Sequence, residues 1–386
     1  MVDLIQIHCD EYGVDGVKTE DIFAAEAPGR IYYMGEHCIM GNGLCIASGI
    51  DRYVKVALNA RKDNSLRFFA AKSAERKRTT TANLHYKRED RWANHVKIAL
   101  CLFSELNHPI SGFNFTITTD IPRHSGLSYN IAVETAAAAA LRKYFGSNIS
   151  DEELISRLSK LHKEFYEGED KTVDFLVAMY AKKDAFLIVN PAAMSVKEIE
   201  SPFIDYKTLL LDSKVPWFGI ENELKERQEI LKRATAAVVA RRPHLNFTEY
   251  PTEEITAMAS SFDEDIRRSC MHIISEVVRV KDAARALRDA DFSVLSKIFF
   301  HSHESLRDLY EISCPELDWL VKRAAEVAGV VAARMTGKGF GGCTYAVLKP
   351  ESVDEYCSRM DDYERIFGFR PIIYEISPSS GAKCIK

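Results

Sequence analysis

The first candidate for chemistry is a loop of small residues that precedes an Ala-rich helix. Ser125-Gly126-Leu127-Ser128 follows Pro122, and a strongly helical run begins at Ile131. A helix that starts after such a loop directs several unpaired N–H groups at one point, with the positive end of its dipole behind them. That arrangement predicts a phosphate site. A tight turn followed by a core helix explains the same pattern, because a run of alanines packs closely anywhere.

A second loop, Thr336–Gly342, has the sequence TGKGFGG and lies between two short apolar runs. Three interpretations fit it: a hairpin turn that needs positive φ, a loop that a nucleotide approaches closely, or both. It lacks the G-x-x-x-x-G-K-[ST] order of a P-loop and the strand–loop–helix context of a dinucleotide-binding fold.

Four charged or titratable side chains are further candidates. Glu36 and His37 are adjacent in a loop, where they either bind a polar ligand or are simply solvated, and Arg30 in Pro-Gly-Arg has the same two readings. Asp174 interrupts an apolar helical run. It is therefore either on an exposed face or buried beside an Arg or Lys.

Two other chemistries are disfavoured. His301 and His303 are two residues apart, so they do not share a helical face and do not suggest a metal pair. Ser128 is not part of a G-x-S-x-G elbow, which argues against a hydrolase serine.

Composition narrows the class of protein. The chain has 386 residues, 46% hydrophobic and 28% charged, as expected for a globular protein of two domains. A net charge of −5 with no basic block argues against a nucleic-acid partner. No stretch resembles a signal peptide or a membrane span. Nine scattered cysteines without a C-x-x-C pair indicate reduced thiols and a cytoplasmic location.

The elements that would position these residues change character along the chain. The first third is mostly β, and Ser150 followed by three acids marks the start of a helix over Asp151–Tyr166. Lys171–Tyr180 is a helix or turn segment. The pattern loosens between Asn190 and Pro202, so we expect domains at 1–195 and 196–386. The second half is α+β, with a long helix over Glu221–Arg241 and the Gly-rich loop between two strands.

Several stretches together resemble the motifs of the galactokinase branch of the GHMP kinase family. APGRIYYMGEHCIM at Ala27–Met40 resembles A-P-G-R-x-N-x-I-G-E-H-T-D-Y, and PRHSGLSYNI at Pro122–Ile131 resembles P-x-G-x-G-L-S-S-S-A. RMTGKGFGGC at Arg334–Cys343 resembles R-M-T-G-G-G-F-G-G-C. WANHVK at Trp92–Lys97 and SPSSGAK at Ser377–Lys383 resemble W-x-N-Y-V-K and P-S-x-G-A. The resemblance spans nearly the whole chain and keeps the motif order.

The resemblance implies both a fold and an activity. The fold is α+β with two domains, the N-terminal one like ribosomal protein S5 domain 2 and the C-terminal one ferredoxin-like. The activity is transfer of the γ-phosphate of ATP, with Mg²⁺, to the anomeric hydroxyl of galactose or a related monosaccharide. The partners are a small sugar and ATP, and the chain is expected to be a monomer.

The resemblance also assigns roles to residues. Asp174 would accept the proton of the sugar hydroxyl, and Arg30 would keep it ionised and stabilise developing negative charge. Glu36 and His37, with Asp174 and Gly339, would contact the sugar. The expected nucleotide contacts are Trp92, Ser125, Gly126, Leu127, Ser128 and Asn130. The expected metal ligands are Asn130, His162 and Glu164.

The departures from the family pattern concern the sugar and the metal. Ile39 stands where galactokinases have an Asp that binds sugar hydroxyls, so the preferred sugar is expected to change. In the loop that precedes the Ala-rich helix, called the first loop below, His124 replaces a glycine. Tyr129 and Asn130 replace serines directly after Ser128. His162 stands at the position of a metal-binding Glu, with Glu164 close by. Two hypotheses follow: a sugar 1-kinase, or a non-catalytic relative that senses sugar or nucleotide.

Overall fold

A computed structural model describes residues 4–13, 16–122, 125–215, 221–240 and 252–386 of the chain. The helices are α1 (Leu4–Tyr12), α2 (Ala93–Glu105), α3 (Tyr129–Phe145), α4 (Asp151–Tyr166), α5 (Thr172–Tyr180), α6 (Glu221–Val239), α7 (Thr252–Ala259), α8 (Glu264–Arg288), α9 (Phe292–Asp308), α10 (Pro315–Ala325), α11 (Val353–Ser358) and α12 (Met360–Phe367). His124 and Arg241, which the sequence analysis placed in the first loop and at the end of a helix, lie outside the described residues.

The strands form two sheets. They are β1 (Phe23–Met34), β2 (Cys45–Ala60), β3 (Ser65–Ala70), β4 (Glu75–Thr80), β5 (Phe113–Thr119), β6 (Ala185–Asn190), β7 (Ser195–Glu200), β8 (Lys207–Asp212), β9 (Val330–Thr336), β10 (Cys343–Leu348), β11 (Ile372–Ile376), β12 (Pro378–Ser379) and β13 (Lys383–Cys384). The first sheet follows the order β13-β1-β2-β5-β3-β4, with β6 and β12 also on β2 and β7 on β6. The second follows the order β11-β8-β10-β9.

The pairing of β1 with β2 is interrupted just before Arg30. The register shifts between Pro28 and Gly29, and again between Tyr32 and Met34. Proline has no amide hydrogen to give to the ladder, so a break at Pro28 is expected. Irregularities of this kind redirect the side chains that follow them, and here they occur on both sides of a candidate site residue.

Helices α2 to α5 belong to the first domain. The alanines of α3 are buried, and the helix packs against β1 and β2. It ends at Gly146, whose φ of 60° gives a left-handed C-cap. Helix α4 begins as predicted, because the Ser150 hydroxyl accepts a hydrogen bond from the Glu153 amide at 3.2 Å.

The chain passes from the first sheet to the second between residues 200 and 207. Ser195–Glu200 pairs with β6 in the first sheet, and the second sheet starts with Lys207–Asp212. The tail then returns, since Pro378–Ser379 and Lys383–Cys384 pair with strands of the first sheet. None of the described helices has the length and apolar character needed to cross a bilayer.

The close packing of α3 leads to a stability prediction. Ala138 is fully buried, so Ala138→Leu should overpack the helix against the sheet and lower the free energy of unfolding by about 1–3 kcal/mol. Lys143→Leu adds a similar side chain on the exposed side of the same helix and should cost less than about 1 kcal/mol. Urea denaturation of both variants measures the difference, and equal costs would contradict the packing argument.

Candidate active site

An ion pair between Arg30 on β1 and Asp174 on α5 lies at the centre of the candidate site. The Arg30 Nε donates to the Asp174 Oδ1 at 2.5 Å, and the two side chains are only 11% and 7% exposed. Asp174 is therefore buried beside an arginine, one of the two alternatives that the sequence left open. Arg30 Nη1 also donates to the Gly126 carbonyl at 2.9 Å, and the Ser128 hydroxyl donates to Asp174 Oδ1 at 3.0 Å.

These contacts decide the protonation of Asp174. Burial alone would raise the pKa of its carboxyl group, but the charges of Arg30 and Lys171 and the hydrogen bonds from Arg30 and Ser128 outweigh it and hold the pKa below its ordinary value. The carboxylate is therefore ionised at neutral pH and can accept a proton. The guanidinium beside it supplies a fixed positive charge.

The first loop is held against β1 by its backbone. The Arg30 amide donates to the Leu127 carbonyl at 3.1 Å. A Cβ at Gly29 would lie 3.0 Å from that same carbonyl oxygen, so a side chain there would push the loop away. The Leu127 side chain is buried, and the Ser125 hydroxyl donates to the Pro122 carbonyl at 2.7 Å. What this loop can offer a ligand is therefore mainly backbone, at the N-terminus of α3.

The carboxylate of Glu36 is bound by an arginine from the second sheet. Arg334 on β9 donates from Nη1 and Nη2 to the two carboxylate oxygens, each at 2.8 Å, and its side chain is fully buried. The Gly337 amide approaches the same carboxylate at 3.3 Å. Sequence reasoning missed the role of Arg334, although an arginine in an otherwise apolar strand is itself a signal of a buried partner.

Arg334 has a second acid partner on α8. Its Nη2 lies 3.3 Å from Glu276 Oε1, and the Ser302 hydroxyl donates to Glu276 at 2.7 Å. Burial would raise the pKa of Glu276, but Arg334 and Arg279 lower it to about 2. This network joins the loop after β1 to the second domain.

His37 is a polar group available for a ligand. Its ring lies 5.0 Å from that of Tyr310, and its Nε2 is buried without a hydrogen-bond partner among the described residues. Burial lowers the pKa of His37, so the imidazole is neutral. A neutral imidazole with a free nitrogen can hydrogen-bond a hydroxyl group.

The Gly-rich loop joins β9 to β10 and approaches the first loop. Gly337, Gly339, Gly341 and Gly342 all have positive φ, so the loop is a hairpin connection of the kind the sequence suggested. A Cβ at Gly339 would clash with the Ile312 carbonyl, so this glycine is required for packing. Gly337 faces the Gly126 carbonyl, which would lie 3.9 Å from a Cβ there.

Lys338 brings a cation into this region that sequence reasoning missed. Partial burial and the nearby charge of Lys171 lower its pKa, and its charge also interacts with those of Glu169, Asp174 and Arg30. The signal was present in the sequence, because Lys338 occupies the position of a glycine in R-M-T-G-G-G-F-G-G-C.

Four candidate residues remain to be placed: Trp92, Asn130, His162 and Glu164. Trp92 is 8% exposed and donates its indole N–H to Glu75 at 2.9 Å, so its ring is a packed group. The structure does not bring His162 and Glu164 together: His162 is buried against Glu134, whereas Glu164 is exposed and lies 3.9 Å from Lys160. Asn130 is exposed in the first turn of α3.

Comparison with known proteins identifies the class. The family model for the GHMP kinases N terminal domain matches residues 94–182, and the model for the GHMP kinases C terminal region matches residues 283–363. A Treponema pallidum protein that carries a provisional galactokinase name is 35% identical over 98% of this chain and 95% of its own length. The galactokinase of Thermotoga maritima is 27% identical over 93% of this chain and 99% of its own. The chain therefore belongs to the galactokinase branch of the GHMP kinase family.

Solved structures agree on the fold. The Lactococcus lactis galactokinase, solved with galactose, superposes with a TM-score of 0.91 over 99% of this chain and 100% of its own, at 23% identity. The Methanococcus jannaschii mevalonate kinase gives a TM-score of 0.62 at 15% identity, over 92% of this chain and 98% of its own. The expected GHMP kinase fold, with an N-terminal and a C-terminal domain of mixed α and β content, is confirmed.

The buried network around Arg334 leads to the second prediction. Arg334→Met would leave Glu36 without a cation and Glu276 with Arg279 alone, and should lower the free energy of unfolding by about 3–5 kcal/mol. Arg285→Met removes an exposed pair with Asp282, 3.6 Å away, and should cost less than about 1 kcal/mol. Denaturant titration of the two variants measures both effects.

The same prediction has a pH dependence. The folded-state pKa of Glu276 is lowered from 4.5 to about 2, so its contribution to stability is present above pH 4.5 and is lost as the pH falls toward 2. The difference in the free energy of unfolding between wild type and Arg334→Met should therefore become smaller at acid pH. If Arg334→Met proved as stable as Arg285→Met at neutral pH, the role given to Arg334 would be contradicted.

Proposed function

We propose that the chain is an ATP-dependent sugar 1-kinase that transfers the γ-phosphate of ATP to the anomeric hydroxyl of galactose or a related monosaccharide. The observation that carries this proposal is the Arg30–Asp174 ion pair, tied by Gly126 and Ser128 to a loop that opens a helix. This arrangement brings together an ionised base, a fixed cation and the N-terminus of helix α3, which can bind phosphate.

In this proposal Asp174 accepts the proton of the sugar hydroxyl as the hydroxyl oxygen attacks phosphorus. Its lowered pKa makes it a weak base, which suits a reaction in which the attacking oxygen needs little activation before the phosphoryl group is transferred. Arg30 stabilises negative charge that develops beside Asp174. The Ser128 hydroxyl, already bonded to Asp174, lies between the base and the backbone of the first loop.

Further positive charge comes from the Gly-rich loop. The charge of Lys171 lowers the pKa of Asp174, and the charge of Lys338 interacts with that of Asp174. Lys171 is itself paired with Glu169 at 2.8 Å. Phosphoryl transfer is catalysed mainly by positioning and by cations around the transferred group. We therefore assign Lys338 to the phosphates of ATP, alongside the backbone of Ser125, Gly126 and Leu127.

The residues that were expected to hold Mg²⁺ do not fit it well. Mg²⁺ prefers oxygen ligands and usually one or two carboxylates with the substrate phosphates. Asn130 offers only an amide oxygen, His162 offers an imidazole directed at Glu134, and Glu164 is exposed elsewhere. We keep Mg²⁺ only as a companion of the ATP phosphates, and we assign it no protein ligand.

On the sugar side, the free Nε2 of His37 is the polar group best suited to a hydroxyl. Glu36 can contribute only through the lone pairs that Arg334 leaves, and Gly339 through its backbone. Because Ile39 offers no hydrogen bond where galactokinases have Asp, we expect a preference for a sugar that differs from galactose in one hydroxyl group or its stereochemistry.

The wider setting follows the sequence-based expectations. We propose a cytoplasmic monomer of two units, 1–195 and 196–386, that acts without nucleic-acid or membrane partners, with Trp92 on the nucleotide side. All nine cysteines are free thiols, which is in keeping with a reducing compartment. The non-catalytic alternative was motivated by the altered first loop, and a Tyr129 ring that filled the phosphate pocket would favour it. The Tyr129 ring packs against the main hydrophobic core, which supports the enzyme.

The central test replaces the base. Asp174→Asn removes the proton acceptor and should lower kcat by about 10²–10⁴, while sugar binding measured by calorimetry persists. Asp184→Asn is the matched control, because Asp184 is exposed with only a 3.8 Å pair to Lys183, and it should keep full activity. ADP release is followed over a panel of hexoses, pentoses and N-acetylhexosamines. Folded wild-type protein that turns over none of these sugars would disprove the kinase assignment.

A separate test concerns the cation of the Gly-rich loop. Lys338→Met should lower kcat/KM for ATP by about tenfold to a hundredfold, because one charge near the transferred phosphate is lost. Lys338→Arg should retain much of the activity. Lys322→Met removes an exposed lysine on α10 and should have no effect. If Lys338→Met matches the Lys322→Met control, Lys338 does not contact the nucleotide.

A further inference from the structure

Helices α2, α3 and α4 each contribute one metal-ligating side chain to a single buried cluster. These residues are His95, Glu134 and His162, with exposed fractions of 6%, 0% and 8%. Both imidazoles direct Nδ1 at the same carboxylate oxygen: His95 lies 2.7 Å and His162 2.9 Å from Glu134 Oε1. The ligand atoms of all three residues lie within 4.8 Å of one another.

The charge of Glu134 requires a neutralising partner. An ionised carboxylate without contact with water is costly unless it meets a positive charge. Within the described part of the chain, the ion pairs of Glu134 are those with His95 and His162, and no Lys or Arg pairs with it. A metal ion bound between the three side chains would supply that positive charge.

The sequence gives a second, independent reason to consider a metal. His95 stands where the motif W-x-N-Y-V-K has a tyrosine, and His162 stands where the family has an acid. These two departures are 67 residues apart, and the fold brings both imidazoles to one carboxylate. The rings are nearly parallel, with an interplanar angle of 15° and centroids 6.5 Å apart, so a shared ligand can lie between their Nδ1 atoms.

We propose that His95, Glu134 and His162 bind a divalent transition-metal ion, with Zn²⁺ as the best match. Two imidazoles and one carboxylate form a common donor set for Zn²⁺, whereas Mg²⁺ and Ca²⁺ prefer oxygen ligands. The Tyr166 hydroxyl, 3.0 Å from His95 Nδ1, or a water molecule completes the coordination. Small movements of the side chains from hydrogen-bonding to coordinating separations are all that the ion requires.

The ion would cross-link helices α2, α3 and α4 in the first domain. Glu134 follows Asn130 by one helical turn on α3, so the ion holds the first half of the helix that the first loop opens. Its role in this proposal is structural, and the ion takes no part in phosphoryl transfer. The inference therefore does not depend on the proposed kinase activity and can be tested without it.

The test measures metal binding by the full-length protein. After treatment with a chelator, titration with Zn²⁺ should show stoichiometric binding, and the melting temperature should rise with Zn²⁺ concentration. His95→Gln and His162→Gln should each weaken the affinity by at least about tenfold and abolish the thermal shift. His301→Gln removes an exposed histidine and serves as the matched control, which should behave as wild type. Circular dichroism checks that each variant is folded.

Substitution with Co²⁺ reports which atoms bind the ion. A visible d–d spectrum that disappears in His162→Gln, without a thiolate charge-transfer band, supports the proposed ligands. A thiolate band would place the ion at a cysteine, and equal Zn²⁺ binding by His162→Gln and His301→Gln would place it elsewhere on the surface. Either of these results, or no binding by wild type, would leave the cluster as a hydrogen-bond network without a metal ion and overturn the proposal.

Discussion

The buried ion pair between Arg30 and Asp174 is the contact on which the rest of the site depends. A pair removed from water is stable only when additional hydrogen bonds satisfy its remaining atoms. The Gly126 carbonyl and the Ser128 hydroxyl provide them, so the position of the first loop and the ionisation of Asp174 are coupled. Because Gly29 admits the loop so closely, a change at this neighbour of Arg30 would act on both.

A second arginine gives the two domains a fixed relation at this site. Arg334 is bound between Glu36 from the first domain and Glu276 from the second, and the Thr336 hydroxyl donates to the Tyr32 carbonyl at 2.8 Å. These contacts hold the start of the Gly-rich loop against the end of β1. Lys338 therefore extends from an anchored segment, which is what a charge needs if it is to act at a defined point.

Much of this arrangement could be predicted from the sequence because it is local. The order of the motifs predicted the family, and Ser150 predicted the residue at which α4 begins. The tail strands pair with residues more than 300 positions away, which a local pattern cannot indicate, and the partner of Glu36 is similarly distant. The separation of His162 from Glu164 was predictable: residues two apart on a helix point about 200° away from each other, so they rarely share a ligand.

In the proposed kinase, the charges around Asp174 offer a way for a first loop that lacks the usual serines to serve phosphate chemistry. Arg30 is paired with Asp174 and Lys171 with Glu169, whereas the ion pairs of the described residues leave Lys338 without a carboxylate. Burial and, after it, the like charge of Lys171 lower the pKa of Lys338, so the fold holds two ammonium groups near each other at a cost. An anion binding between them would relieve that repulsion. Since phosphoryl transfer depends on positive charge more than on which residue supplies it, a lysine on one loop can compensate for hydroxyl groups lost from another.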